Sequence, residues 1–181
     1  MKIEATSLPG VLLLTPTVYR DDRGAFSETF NLRQMTEAGL PTNWVQDNFS
    51  VSRKNVLRGI HYQIAQPQGK LVRVTHGAVL DVAVDLRRSS PTFSLHVGVE
   101  LSGENSKMLW IPEGFGHAFL VLSEEAGFAY KVTDYYAPKG ERTILWNDPD
   151  LAIPWPAGEG DLIVSEKDRK GSRLRDAEVF A

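Results

Sequence analysis

KLVRVTHGAVLDVAVDLR, residues 70–87, decides how this chain folds. Apolar and β-branched residues recur at short intervals on both sides of His76 and Gly77, the pattern of two strands flanking a turn. In the second strand Val79, Asp81, Ala83 and Asp85 share one face and Leu80, Val82, Val84 and Leu86 the other, because neighbouring side chains of a strand point to opposite sides. Both faces are partly apolar, which predicts a central strand with Asp81 buried. A buried carboxylate is costly unless a cation or hydrogen-bond donor faces it, and a structural ion pair is its ordinary use.

Working outward, the same texture repeats in TFSLHVGVEL (92–101), MLWIP (108–112), HAFLVL (117–122) and FAYKVTDYY (128–136). Turn chemistry separates these runs: Ser102–Asn105, Glu124–Gly127 and Asn147–Asp150 carry the Gly, Asn, Asp and Pro residues expected of hairpins and loops. Strand starts spaced by about 8 to 12 residues predict an all-β protein, two antiparallel sheets packed face to face as a jelly roll. An immunoglobulin-like sandwich fits the same pattern. FNLRQMTEAGL (30–40) is the one helical stretch before the tail, closing on Gly39, and the tail EKDRKGSRLRDAEVF (166–180) ends in a short helix or strand.

A chain of 181 residues, 42% apolar, suits one domain spanning 1–181. A net charge of −3 gives no bulk attraction to nucleic acid or to an anionic membrane, so an anion site must be a local cluster. There is no cysteine, hence no disulfide framework and no thiolate metal site, and the first residues carry no leader pattern. A cytoplasmic protein is expected. Its apolar runs fall far short of the roughly 20 residues a membrane helix needs.

The four histidines, at 61, 76, 96 and 117, are each solitary, so no pair sits at metal-ligand spacing, and any catalysis is expected to rest on acid/base groups and fixed charges. NVLRGIHYQ (55–63) is the most unusual strand. Strict alternation puts Leu57, Gly59, His61 and Gln63 on one face and Arg58, Ile60 and Tyr62 on the other. Arg58 and His61 reach one ligand only if the backbone bulges, and Gly59 is placed to allow it. Similarly, His117 shares a face with Phe119 and Val121, and Tyr130 with Phe128 and Val132, so His117 and Tyr130 line one cavity if both faces turn inward.

These segments together, YRDDRGAFSETF (19–30), QDNFSVSRKNVLRGIHYQ (46–63), 69–93, 111–156 and SEKD (165–168), resemble the dTDP-4-dehydrorhamnose 3,5-epimerase family almost from end to end. The resemblance implies a double-stranded β-helix, the cupin-type jelly roll, and a homodimer with exchanged strands. It also implies inversion at C3 and C5 of a 4-keto-6-deoxy sugar carried on dTDP, without cofactor or metal, in L-rhamnose biosynthesis. By the same resemblance His61 is the base, Asp168 orients it, Tyr130 is the acid, and Lys70 faces the enolate oxygen. Arg23 and Arg58 are implied at the diphosphate. Phe26 and Glu28 are implied at the nucleoside, from the neighbouring subunit, with Gln46, Asn48 and Tyr136 nearby. His117 lines the pocket, with Asp81 as its partner. Two other functions share these residues in part: a relative that inverts only one centre, and a non-catalytic nucleotide-sugar-binding jelly roll. A metal-dependent cupin oxygenase is disfavoured by the solitary histidines.

Overall fold

The computed structural model describes residues 1–157 and 161–181. Its strands are β1 (Lys2–Ala5), β2 (Leu12–Thr15), β3 (Val18–Asp21), β4 (Gly24–Ser27), β5 (Gln46–Arg53), β6 (Val56–Gln63), β7 (Lys70–His76), β8 (Ala78–Asp85), β9 (His96–Ser102), β10 (Met108–Ile111), β11 (Phe115–Val121), β12 (Glu125–Val132), β13 (Glu141–Thr143) and β14 (Ile163–Val164). The helices α1 (Leu32–Glu37) and α2 (Glu166–Arg169) are short. No helix among the described residues is long and apolar enough to cross a membrane.

Two sheets face each other. The first runs β1-β2-β10-β7-β12-β5 and the second β13-β6-β11-β8-β9, with β14 parallel to β6. From β5 to β12 the chain changes sheet at every connection except β8 to β9, which pair as neighbours. That alternation is the jelly-roll arrangement, and it settles against the immunoglobulin-like alternative. It also corrects the reading of two turns. Ser102–Asn105 and Glu124–Gly127 are corners that carry the chain between sheets, not hairpins, and Ala126 and Gly127 already belong to β12. Gly77 makes a third corner: its φ is +72°, and a Cβ there would lie 2.0 Å from the Glu125 carbonyl oxygen. Asn147–Asp150 is the expected loop. Its Asp148 is buried and accepts from the Asp150 and Leu174 amides, tying the loop to the tail.

The central position of 78–85 holds. Val79 and Ala83 enter the core between the sheets with Val72, Phe119 and Phe128. Val82, Val84 and Leu86 pack on the outer face beneath Leu151, Leu174 and Ala177. Burying each such aliphatic side chain is worth about 1.5–3 kcal/mol, which is why both faces of β8 read as apolar. On the outside of the first sheet Leu14, Leu71, Met108 and Trp110 are covered by Met35 of α1 and Leu40. Three boundaries differ from expectation: α1 is shorter than 30–40, β9 begins only at His96 after the turns of 92–95, and β12 stops at Val132. The tail forms α2, a 3-10 turn at Leu174–Asp176 and a bridge from Phe180 to Arg87.

Candidate active site

The pairing of β6 with β11 contains the expected bulge. His61 lies opposite His117 and Arg58 opposite Phe119, so Gly59 and Ile60 together face the single residue Ala118. One extra residue reverses the alternation. Leu57, which strict alternation groups with His61, instead packs outward with Leu120 and Trp146, while Arg58 and His61 both turn inward. Gly59 has φ +119°, and a Cβ there would lie 2.5 Å from the His117 carbonyl oxygen and 2.6 Å from the Ala118 Cβ, so no other residue fits. The Gly59–Ile60 peptide is cis.

The inward side chains line a pocket of about 270 Å³ between the sheets, formed by Arg58, His61, Lys70, His117 and Tyr130 with Asn48, Ser50, Phe119 and Phe128. His61 comes from the second sheet and Tyr130 from the first. Behind His61 stands Asp168, buried, with Oδ1 at 2.6 Å from Nε2 and Oδ2 accepting from the Gly59 amide at 3.3 Å. Burial pushes the Asp168 carboxyl up, but the bonds from His61 and Gly59 outweigh it and hold it below the usual carboxylate range. A carboxylate at Nε2 fixes the tautomer with Nε2–H donating and leaves Nδ1 with a free lone pair. The local fold explains the placement. Ser165 caps α2 by accepting from the Asp168 amide at 3.1 Å, as in a capping box, while the Asp168 side chain, free of the reciprocal bond, reaches His61.

His117 forms a second pair, its Nε2 at 2.8 Å from Asp81 Oδ2. Burial holds its imidazole below the ordinary histidine value despite the nearby Asp81. The two pairs differ in access: 29% of the His61 side chain is exposed against 9% of His117. Burial lowers Lys70 to about 8, against the pull of Asp81 and Glu141. It raises Tyr130 above the usual phenol value, against the pull of Arg58. At neutral pH the pocket therefore holds an ammonium, a protonated phenol and an imidazole with a free nitrogen, a set suited to moving protons beside a carbonyl whose oxygen gains charge.

Around this set, the Arg58 guanidinium donates to Ser52 Oγ at 3.0 and 3.1 Å. Gln46 and Asn48 lie on edge strand β5, joined by a 2.8 Å bond, and Gln46 also accepts from the Tyr136 amide. The Tyr136 hydroxyl donates to Glu141 at 2.8 Å. Three expected binding residues are not brought to the pocket within this chain. Arg23 and Phe26 sit on the separate β3–β4 ribbon, where Arg23 grips Asp21 and Phe26 is 69% exposed. Glu28 lies past the end of β4 and accepts from Asn31 and Gln34. Among the described residues no three His, Asp or Glu side chains gather as a metal site, and His76 and His96 lie away from the pocket. Glu141 was not singled out in the sequence. It sits in GERT, which reads as the polar end of a turn, and only the pairing of β13 with β6 brings it opposite Gln63 and close to His61.

The family model described as dTDP-4-dehydrorhamnose 3,5-epimerase matches residues 5–176. The dTDP-4-dehydrorhamnose 3,5-epimerase of Pseudomonas aeruginosa is 56% identical over 181 residues, covering 99% of each chain. A dTDP-4-dehydrorhamnose 3-epimerase of Streptomyces niveus is 36% identical, covering 98% of this chain and 86% of its own. Among solved structures, a dTDP-6-deoxy-D-glucose-3,5-epimerase of Legionella pneumophila in complex with dTDP-4-keto-L-rhamnose superposes with a TM-score of 0.94 at 50% identity, covering 98% of this chain and 94% of that one. Sequence and fold agree over almost the whole length, and this chain belongs to the dTDP-4-dehydrorhamnose 3,5-epimerase family.

Proposed function

We propose that this protein inverts C3 and C5 of dTDP-4-dehydro-6-deoxy-D-glucose to give dTDP-4-dehydro-L-rhamnose, a step of dTDP-L-rhamnose biosynthesis. The observation that carries the reading is the opposition of His61, backed by Asp168, to Tyr130 across one pocket that also holds Lys70. Both carbons flank the C4 ketone, so each C–H is acidified and its loss leaves an enolate. Inversion then needs a proton from the opposite face of the ring. His61 takes the first proton on Nδ1, and Asp168 stabilises the imidazolium that forms. Tyr130, from the facing sheet, returns a proton to carbon. Lys70 offsets the charge that grows on the C4 oxygen. Each inversion is one proton out and one proton in, so no redox cofactor enters the balance. His61 rather than His117 is the base, because its side chain is open to the pocket and the Asp81 pair keeps His117 neutral and fixed.

Arg58 holds the diphosphate and His117 the sugar side of the pocket, with Asn48, Gln46 and Tyr136 towards the nucleoside. The β3–β4 ribbon exposes Tyr19 at 65% and Phe26 at 69%, two aromatic faces beside Arg23 with nothing of this chain to cover. Such a ribbon suits a homodimer in which strands are exchanged and Arg23, Phe26 and Glu28 of one subunit close the other's site. The chain acts as one domain over 1–181, in the cytoplasm.

The test is to incubate the protein with the nucleotide sugar in D₂O, with and without chelator, and follow deuterium by NMR. Label at both carbons in both samples is the expected result. Label at one carbon only returns the protein to the single-centre relatives, and bound sugar without label makes it a binding module. A pH profile adds a second check. The Lys70 charge is lost above about pH 8, where Tyr130 still holds its proton, so kcat/KM should fall on that side. Lys70→Arg, which stays cationic, should show a lower rate without that limb. A limb unchanged in Lys70→Arg assigns it to another group.

A further inference from the structure

Two inversions through one base and one acid raise a problem of resetting, and the inference that follows rests on the double inversion proposed above. After the first inversion His61 carries the proton taken from carbon and Tyr130 has given up its own. Before the second can start, the imidazolium must lose a proton and the phenolate must gain one.

A second, smaller cavity of about 90 Å³ touches both residues, and Tyr136, Glu141, Gln63 and Gln68 complete its polar wall. A water needs only about 10–15 Å³ of such space and two to four polar partners, so the cavity accommodates a short chain of waters. Its wall is held rigidly. Glu141 accepts from the Tyr136 hydroxyl at 2.8 Å on one oxygen and from Lys167 at 2.5 Å on the other. Burial acts to raise the Glu141 carboxyl, but these bonds and the neighbouring His61 hold it below its ordinary value. Glu141 therefore stays an anion beside His61 and does not itself store the proton. With its hydrogen committed to Glu141, the Tyr136 oxygen presents lone pairs as an acceptor.

We propose that this cavity is the return path: waters ordered by Tyr136 and Glu141 carry one proton from His61 to Tyr130 between the two inversions. One N–H bond breaks at His61 Nδ1, one O–H bond forms on Tyr130, and the opposite charges on the pair cancel. No oxidant or reductant is needed. Glu141 is a positioning residue, acting through the waters and through Tyr136.

The experiment compares full-length protein with Glu141→Gln, following dTDP-4-keto-6-deoxyglucose in D₂O by NMR from the first turnovers. The rate of the second inversion relative to the first should fall by about 10-fold or more, with singly inverted nucleotide sugar accumulating. Added imidazole buffer should restore the ratio by carrying the proton in place of the path. Tyr136→Phe, which leaves the Lys167–Glu141 pair in place, should move the ratio the same way. An unchanged ratio, or equal slowing of both inversions without rescue, overturns the return path. Label at a single carbon in the parent protein defeats the double inversion itself, an outcome separate from failure of the path.

Discussion

His61→Asn should stop deuterium entering at both C3 and C5 while leaving nucleotide binding near that of the parent protein. Asparagine can still donate to Asp168, so the carboxylate keeps a partner and the fold is little disturbed. What disappears is the free lone pair on Nδ1, the one nitrogen left after Nε2 is committed to Asp168 at 2.6 Å. Loss of a positioned general base costs roughly 10²–10⁴ in rate, and one base serving both carbons predicts that both exchanges fall together. NMR of the sugar in D₂O reads the two positions separately. Exchange at the parent rate at either carbon would show that another group, such as His117, is the base there. Tyr130→Phe gives the complementary pattern, with label washing in at carbon without net inversion, because abstraction survives and delivery from the far face does not.

Gly59→Ala should be the most damaging small substitution. Two costs combine: a φ of +119° that side chains rarely adopt, and a methyl 2.5 Å from a carbonyl oxygen and 2.6 Å from another Cβ. Together they amount to about 3 kcal/mol or more. For a chain of this size that lowers Tm by roughly 6–12 °C. If the chain relieves the clash by closing the bulge, the alternation of β6 is restored and Arg58 and His61 part to opposite faces, removing activity from whatever remains folded. Thermal unfolding and epimerisation measured on the same sample check both effects. A Tm within a degree or two of the parent, with full activity, would mean the bulge does not set the geometry of the pocket.

The contrast between the two histidine–carboxylate pairs explains why one is suited to chemistry. Asp81 is fully buried on β8, and one of its oxygens has no partner. His117 is packed against Phe128, with ring centroids 5.8 Å apart. Such a pair resists gaining charge. Asp168 is also buried, but it receives the Gly59 amide as well as His61, so a charge on the imidazole is met by a carboxylate already stabilised. The same two residue types thus give a fixed pocket wall in one place and a proton acceptor in the other.

Much of this was legible in the chain. Alternation in 78–85 gave the central strand and the buried Asp81, because a strand covered on both faces must be apolar on both. The glycine between Arg58 and His61 announced the bulge, because two polar residues three apart cannot otherwise share a face. The motifs from 19 to 168 carried the family. Turn residues, by contrast, look alike whether they close a hairpin or lead the chain to the opposite sheet, so the corners at 102–105 and 124–127 were misread. Glu141 was silent because its neighbours in sequence are not its neighbours in space. By itself the sequence determined which residues are inward, since burial follows the local period of the strand. Only the tertiary structure decided which of them meet: the slip of one residue between β6 and β11, the approach of α2 behind His61 and the pairing of β13 with β6 are contacts between segments as much as 109 residues apart, and no local pattern encodes their register.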